Sequence, residues 1–321
     1  MNSLSSDLIN SIAELLPTHI LANVEFAGAH NEEWRLIAKD HVEKRFKLEI
    51  DIFLPLQNNQ RILPDDARMT VTKVSDFGSV TSEDWDYKQR HFARIWHVTI
   101  NGAVKTKELL SQTTAVLPWV LSIPTHSYAM GAGSTLAIMN MDLPRKGILS
   151  RLLKPLMKKF DSVVLSSIKA QPEMIKKLLD DLAVQGTLMT LQIINCHVED
   201  DVLEPIAKIF NQAKEGYVEF RICPKTNAFG PEAVENFIRK WQESSTERKI
   251  GCRKTLSLTV NAECCRRFAK ELTSPWVIRD SYEALIPHTN QMSALQFRLS
   301  GIMDAGVHHW QCDMAVVKPL S

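Results

Sequence analysis

Few side chains in this sequence are of types and spacings that could do chemistry. His308, His309 and Cys312 lie in one short stretch and are nitrogen and sulfur donors of the kind that hold zinc. A fourth ligand would have to come from elsewhere, such as His288, and no spacing rule links it to the others. The expectation is core or surface histidines and no metal. Cys264 and Cys265 adjoin in a helical stretch, but no motif marks either as a nucleophile, so packing is expected. Residues 131–134, Gly-Ala-Gly-Ser, have the small side chains of a phosphate-cradling loop. They lack the Lys-Ser/Thr that completes a nucleotide-binding loop, so a plain loop is expected. Arg145 to Lys159 is basic with no acidic residue between, which suits either a solvated helix face or a receiver for an acidic or phosphorylated partner segment. No Ser/His/Asp order or carboxylate pair stands out from the composition. No catalytic residue, cofactor or metal is therefore assigned.

The bulk composition narrows the class. A formal net charge of +1 supplies no field to draw in nucleic acid or an anionic membrane. With 45% hydrophobic residues in 321, a sizeable core is expected. All six cysteines follow residue 195 and none is spaced Cys-x-x-Cys, which reads as reduced, buried thiols. The N-terminus lacks the basic start and apolar centre of a signal peptide, and no run approaches the roughly 18 apolar residues of a membrane span. An intracellular protein, cytoplasmic and/or nuclear, is expected.

Three elements must position whatever the chain's head does. In residues 4–17 Leu8, Ile9, Ile12, Leu15 and Leu16 recur at helical spacing. Ser5 or Ser6 can cap this helix, Asp7 suits its positive end, and Pro17 halts it. Ile20, Leu21 and Val24 suggest a second short helix. Asn31 caps a third, with Trp34, Ile37, Ala38, Val42 and Phe46 on one face. Residues 1–47 thus form a small helical domain. Helices this short are marginal alone in water, so they must be covered by the rest of the chain, by a partner, or by both.

Residues 48–321 read as a second, α/β domain. Leu48–Leu54 and Ile95–Ile100 look like strands, with Arg61–Trp85 a polar excursion and 131–134 a loop. From residue 160 strands and helices alternate, which predicts a mostly parallel sheet. Strand-like runs at 160–166, 188–196, 217–223 and 255–260 each precede a helix, and 294–300 reads as a last strand. Equivalent positions Leu165, Ile193, Ile222, Leu258 and Phe297 are spaced 28, 29, 36 and 39 residues apart. The first two spacings fit a leucine-rich repeat, and Leu188, Leu191, Ile193, Cys196 and Val198 fill its formula once. Along these strands Thr190 and Gln192, Glu219 and Arg221, Ser257 and Thr259, and Gln296 and Arg298 alternate with apolar neighbours. One sheet face therefore meets helices and the other meets water, as in a curved solenoid with an exposed binding surface.

The head resembles an F-box. Leu4 and Leu8, the Ile9/Ile12 stripe, Leu15-Leu16-Pro17, Leu21, then Trp34-Arg35 leading into Ile37-Ala38 carry the resemblance. A serine, Ser5, stands where the family's opening proline falls. The remainder is similar to nematode-type F-box proteins with irregular leucine-rich-repeat-like C-terminal domains. The resemblance implies a non-catalytic substrate-recognition subunit of an SCF-type cullin ubiquitin ligase. A Skp-type adaptor would dock on Leu4, Leu8, Ile12, Leu16, Pro17, Ile20 and Trp34. A target protein would dock on the polar sheet positions named above. The rival readings are a stand-alone interaction scaffold, whose helices merely cap the repeats, and an enzyme with a site in 48–150.

Overall fold

A computed structural model describes residues 5–16, 18–27, 31–55, 67–74, 83–84, 89–104, 112–113, 122–125, 133–141, 153, 160–169, 172–185, 188–212, 217–225, 228–244, 253–271, 281–289, 293–304 and 307–318. The chain forms two compact units, Met1–Ala137 with Gly147–Asp161, and Ile138–Lys146 with Ser162–Ser321.

The first unit opens with three helices, α1 (Ser6–Leu15), α2 (Thr18–Ala27) and α3 (Glu32–Lys44). Both expected caps form. Ser5 Oγ accepts from the Leu8 N–H, and Asn31 Oδ1 accepts from Glu33 and Trp34 at 3.2 and 3.3 Å. These bonds satisfy amides that the first helical turn leaves without partners. Ala13, Leu21 and Ala38 form the bundle's buried centre, flanked by Leu16, Val24, Ile37 and Val42. Small residues at the contact let short helices approach closely. Phe46, expected on α3, instead begins β1 (Phe46–Pro55). β1 pairs antiparallel with β2 (Arg68–Val74) and parallel with β4 (Ala93–Val104). β3 (Glu83–Asp84) and β5 (Gln112–Thr113) each add two residues beside β2. β2 and β3 correct the reading of 61–85 as a polar excursion. The buried Met69, Val71 and Val74 gave β2 its signal, diluted by threonines and lysine. β6 (Thr135–Met141) has residues in both units.

The second unit is built on the expected alternation. Strands β7 (Ser162–Ile168), β8 (Thr190–Ile194), β9 (Tyr217–Cys223) and β10 (Arg253–Val260) are parallel neighbours. They are joined through α4 (Pro172–Gln185), α5 (Leu203–Gln212) and α6 (Pro231–Gln242), and α7 (Ala262–Glu271) follows β10. Leu165, Ile193, Ile222 and Leu258 face one another residue for residue across these strands. Phe297 does not join that row. It lies on β12 (Ala294–Asp304), and β13 (Val307–Val317) is inserted between β12 and β10. With β11 (Ser281–Pro287) outside β12, the last three strands are antiparallel. Among the described residues no helix separates them, and a parallel pairing would need such a crossover. The stretch 294–300 is thus not the last strand. β13 follows it, and its alternating Trp310, Cys312, Met314 and Val316 were a legible strand signal.

The buried strand positions meet aromatic side chains of the helices. Phe220 on β9 packs against Phe210 on α5 at 5.9 Å between ring centroids, and Phe210 against Phe237 on α6 at 5.6 Å. On β12 Phe297 meets Phe268 of α7 at 5.0 Å.

The turn after each parallel strand repeats. The N–H groups of Lys169, His197 and Lys225 donate to the carbonyls of Met141, Ile168 and Cys196 at 3.0, 2.8 and 3.2 Å. The residues just before those carbonyls, Asn140, Ser167 and Asn195, have φ of 58°, 55° and 54°. Left-handed backbone at an Asn or Ser position is tolerated because a short polar side chain can bond locally. The three donors stand 28 residues apart, so one turn geometry is stamped on three successive units.

Phe210 is fully buried and touches two further rings. Phe210→Ala is expected to lower unfolding stability by about 3–5 kcal/mol, read by urea denaturation, whereas the exposed Leu285→Ala should leave the midpoint almost unmoved.

Candidate functional site

Two surfaces can act. The first is the apolar outside of the N-terminal helices. Helical spacing divides α1 into two adjacent stripes. Ile9, Ala13 and Leu16 face inward. Leu8, Ile12 and Leu15, one residue earlier at each step, lie on the adjoining side, where Leu8 and Leu15 are exposed and Ile12 is half-buried. Leu15 is 77% exposed and Phe26, on α2, 93%. Leu8, Ile20 and Leu36 are also exposed, so five of the eight large exposed apolar residues among the described residues lie on these three helices. Water does not favour that arrangement, and exposed apolar clusters mark contact surfaces.

Of the expected contact residues, Leu8 and Ile20 are exposed, and Ile12 and Trp34 are half-buried. Leu16 packs on the bundle's centre. Leu4 and Pro17 lie outside the described residues. Sequence reasoning missed Phe26 and Leu36 altogether, and placed Leu15 in the stripe without choosing it. Their signal was negative: each is a large apolar residue off the face that pairs with the other helices.

Two arginines from distant segments pin the end of α1. Arg45 donates to the Ala13 carbonyl at 2.7 Å and to Thr18 Oγ1 at 3.1 Å. Arg94 on β4 donates to the Glu14 carbonyl at 2.6 Å, and to the His91 and Ala93 carbonyls at 3.1 and 2.6 Å. A helix leaves its last carbonyls without donors and carries partial negative charge there, so both cations are well placed. Burial lowers Arg45 to about 9 and Arg94 to about 10.

His41 on α3 lies beside them. It is fully buried and stands edge-on to Phe92 at 5.1 Å, and among the described residues neither ring nitrogen has a hydrogen-bond partner. Burial, then the positive charges of Arg45 and Arg94, pull its pKa from the ordinary 6.5 to about 4. His91 adds to the depression and Asp40 opposes it.

The second surface is the helix-free face of the second unit's sheet. Cross-strand pairing lines up Gln192, Arg221, Ser257, Asp313, Arg298 and Glu283 in one row. Thr190 pairs with Glu219 in the next row, and Thr259 pairs with Gln311. Glu219, Arg221, Gln296 and Arg298 are exposed, whereas Thr190, Gln192, Ser257 and Thr259 are half-buried. All eight expected residues thus fall on the polar face. Ser257 Oγ and Gln311 Nε2 both donate to Asp313 Oδ1 at 2.6 Å, and Arg298 ion-pairs with Glu283 at 3.2 Å. Arg221, between Gln192 and Ser257 in this row, is an exposed cation.

The remaining sequence candidates resolve differently. His288 is buried, packs edge-on to Trp241 at 4.9 Å and approaches Ser244 Oγ at 3.4 Å, so its contacts are those of a core histidine. Cys264, Cys265 and Cys312 are buried free thiols pushed up by burial, Cys264 to about 12 and Cys265 to about 11. No cluster of three metal-ligating side chains occurs among the described residues. Gly133 and Ser134, the described half of the glycine-rich loop, do hold an anion, but it is the chain's own. The Ser134 N–H donates to the Asp161 carboxylate at 3.2 Å, and a Cβ on Gly133 would fall 1.7 Å from that oxygen. Of the basic stretch 145–159 only Leu153 is among the described residues. A surface hollow of about 300 Å³ is lined by Glu173, Lys176, Lys177, Asp180, Glu199 and Asp201, with Lys176 paired to Asp201. That charged lining differs from the mostly apolar lining of a small-molecule pocket. Among the described residues no helix is long and apolar enough to cross a membrane.

No family model, curated protein or solved structure matches the chain.

His41 gives a pH prediction. Its folded pKa lies below the unfolded value, so between about 6.5 and 4 the unfolded chain binds a proton that the folded chain refuses. Stability is therefore full above about pH 6.5 and falls as pH drops toward 4, by at most about 3 kcal/mol. His41→Leu should flatten that part of the urea-midpoint profile. Separately, Arg94→Leu leaves the Glu14 carbonyl without its donor and should cost about 1–3 kcal/mol at neutral pH.

Proposed function

We propose that this chain is the substrate-recognition subunit of a cullin-type ubiquitin ligase. Its three N-terminal helices dock on a Skp-type adaptor, and its second unit, read as a leucine-rich-repeat-like array, holds a target protein. The observation that carries the reading is the outer side of α1, where Leu8 and Leu15 are left facing water together with Phe26 on α2. The 28-residue recurrence of one turn and the aligned strand positions support the repeat-like reading. The polar face from Gln192 to Arg298 offers the target a surface with donors, acceptors and both charges. The protein itself carries no catalytic group in this account. It acts by proximity, raising the effective concentration of target lysines near a charged conjugating enzyme.

One observation favours the scaffold alternative. Arg94 of β4 holds the end of α1, so the helices are fastened to the strands of their own unit as a capping element would be.

Co-purification of the intact protein with a Skp-type adaptor and cullin separates the two. The wild type should retain both. Leu15→Asp with Phe26→Asp should weaken adaptor binding by about 2 kcal/mol or more, roughly thirtyfold, with the melting temperature unchanged because both side chains are exposed. A folded wild-type chain that retains no adaptor sinks the ligase reading and leaves the scaffold.

A further inference from the structure

We propose that the helix-free face of the second unit's sheet takes an α-helix of the target protein, laid across the strands, with one basic side chain on Asp313 and one acidic side chain on Arg221.

The charges left over in one row set the position. Along Gln192, Arg221, Ser257, Asp313, Arg298 and Glu283, the last two compensate each other at 3.2 Å. Asp313 is held but not neutralised. Its donors, Ser257 Oγ and Gln311 Nε2, are uncharged, and both reach Oδ1 at 2.6 Å. Oδ2 has no partner among the described residues. A carboxylate already aimed by two hydrogen bonds loses little further freedom when a cation reaches its other oxygen. Arg221 is exposed and forms no ion pair among the described residues. The row therefore ends with one fixed anion and one cation that neighbouring side chains leave uncompensated, and a partner of the opposite pattern is complementary to it.

The ground between them is low. Strand β10 separates β9 from β13, and its residue in this row is Ser257. Thr255 and Ala315 lie beside it in the next row, and all three are half-buried. Both hydroxyls are already bonded, Ser257 to Asp313 and Thr255 to the Val218 carbonyl at 3.3 Å. A helix that covers them leaves no hydroxyl donor unmet.

Spacing then selects a helix. Arg221 and Asp313 stand two strands apart, about 10 Å at the usual strand separation. Helical residues about seven apart share a face and are separated by about 10.5 Å along the axis. An extended segment repeats on one face every 6.7 Å or so, which places its side chains about 3 Å short or long of the pair.

The proposal rests on the reading of this face as the target-binding surface. Its test selects a displayed library of single alanine-rich helices, each carrying one Glu and one Arg at varied spacing, on the full chain. Helices with the two charges about seven residues apart should be enriched about tenfold over those of the same composition with the charges about nine apart, which fall on opposite faces. Either order serves, because a helix can cross the row in either direction. Arg221→Gln with Asp313→Asn should erase the enrichment at an unchanged melting temperature, since Asn keeps an acceptor for Ser257 and Gln311. Arg221→Gln alone, at an exposed position, should already lower it severalfold. Glu219→Gln, in the next row, should leave it standing. Equal recovery at both spacings, no recovery at all, enrichment that persists on the double variant, or enrichment lost with Glu219→Gln would each overturn the proposal. No adaptor enters the selection. A chain that retains adaptor and cullin yet selects no such helix overturns this proposal and leaves the ligase reading, and a chain that selects the helix yet retains no adaptor does the reverse.

Discussion

Every helix ends in carbonyls that have no donor of their own, and this chain meets that demand with side chains brought from far away. At α1 the donors are Arg45 and Arg94. At α5 the Lys254 ammonium donates to the Phe210 and Asn211 carbonyls at 2.7 and 3.2 Å. At α6 the distant donors are Asn211 to the Lys240 carbonyl and Thr289 to Gln242. The bonds fix where each helix stops and tie it to a neighbouring element. A cation there also gains from the helix dipole, which offsets part of the cost of burying it. His41 is the other side of the same arrangement. A buried ring beside one buried and one half-buried guanidinium group is held neutral, and its environment keeps it so across the physiological range.

That fixing has a consequence for the surface. With the end of α1 pinned and its inner stripe committed to Ala13, Leu21 and Ala38, the outer stripe cannot rotate inward to hide. Leu8 and Leu15 stay in water because turning the helix would break the arginine bonds and empty the bundle's small centre. Exposure here is a cost the fold imposes, and a partner is the simplest way to relieve it.

The sequence carried much of the second unit and less of the first. The register of Leu165, Ile193, Ile222 and Leu258 was readable because a two-residue alternation and a regular spacing agree on the same faces. The polar rows followed from the same alternation. The insertion of β13 was not readable, since pairing order among antiparallel strands is decided by which edges meet, and no local pattern encodes that. The helical spacing of α1 showed an apolar stripe but not its width, so Ile9 and Leu16 could not be told from Leu8 and Leu15. The latch from Arg94 to the Glu14 carbonyl joins positions 80 residues apart, and the fit of Gly133 against Asp161 joins two loops. Both depend on tertiary placement alone.

β13 also bears on how the protein is made. It lies between β10 and β12, yet it leaves the ribosome after both of them. Until it arrives, β10 and β12 each present an unsatisfied backbone ladder, and the hairpin of β11 and β12 has nothing to dock on. A nascent chain in that state could pair with a neighbouring copy as readily as with its own final segment. Synthesis of this protein therefore passes through an adhesive stage that lasts until the strand from Val307 is free to slide into the gap.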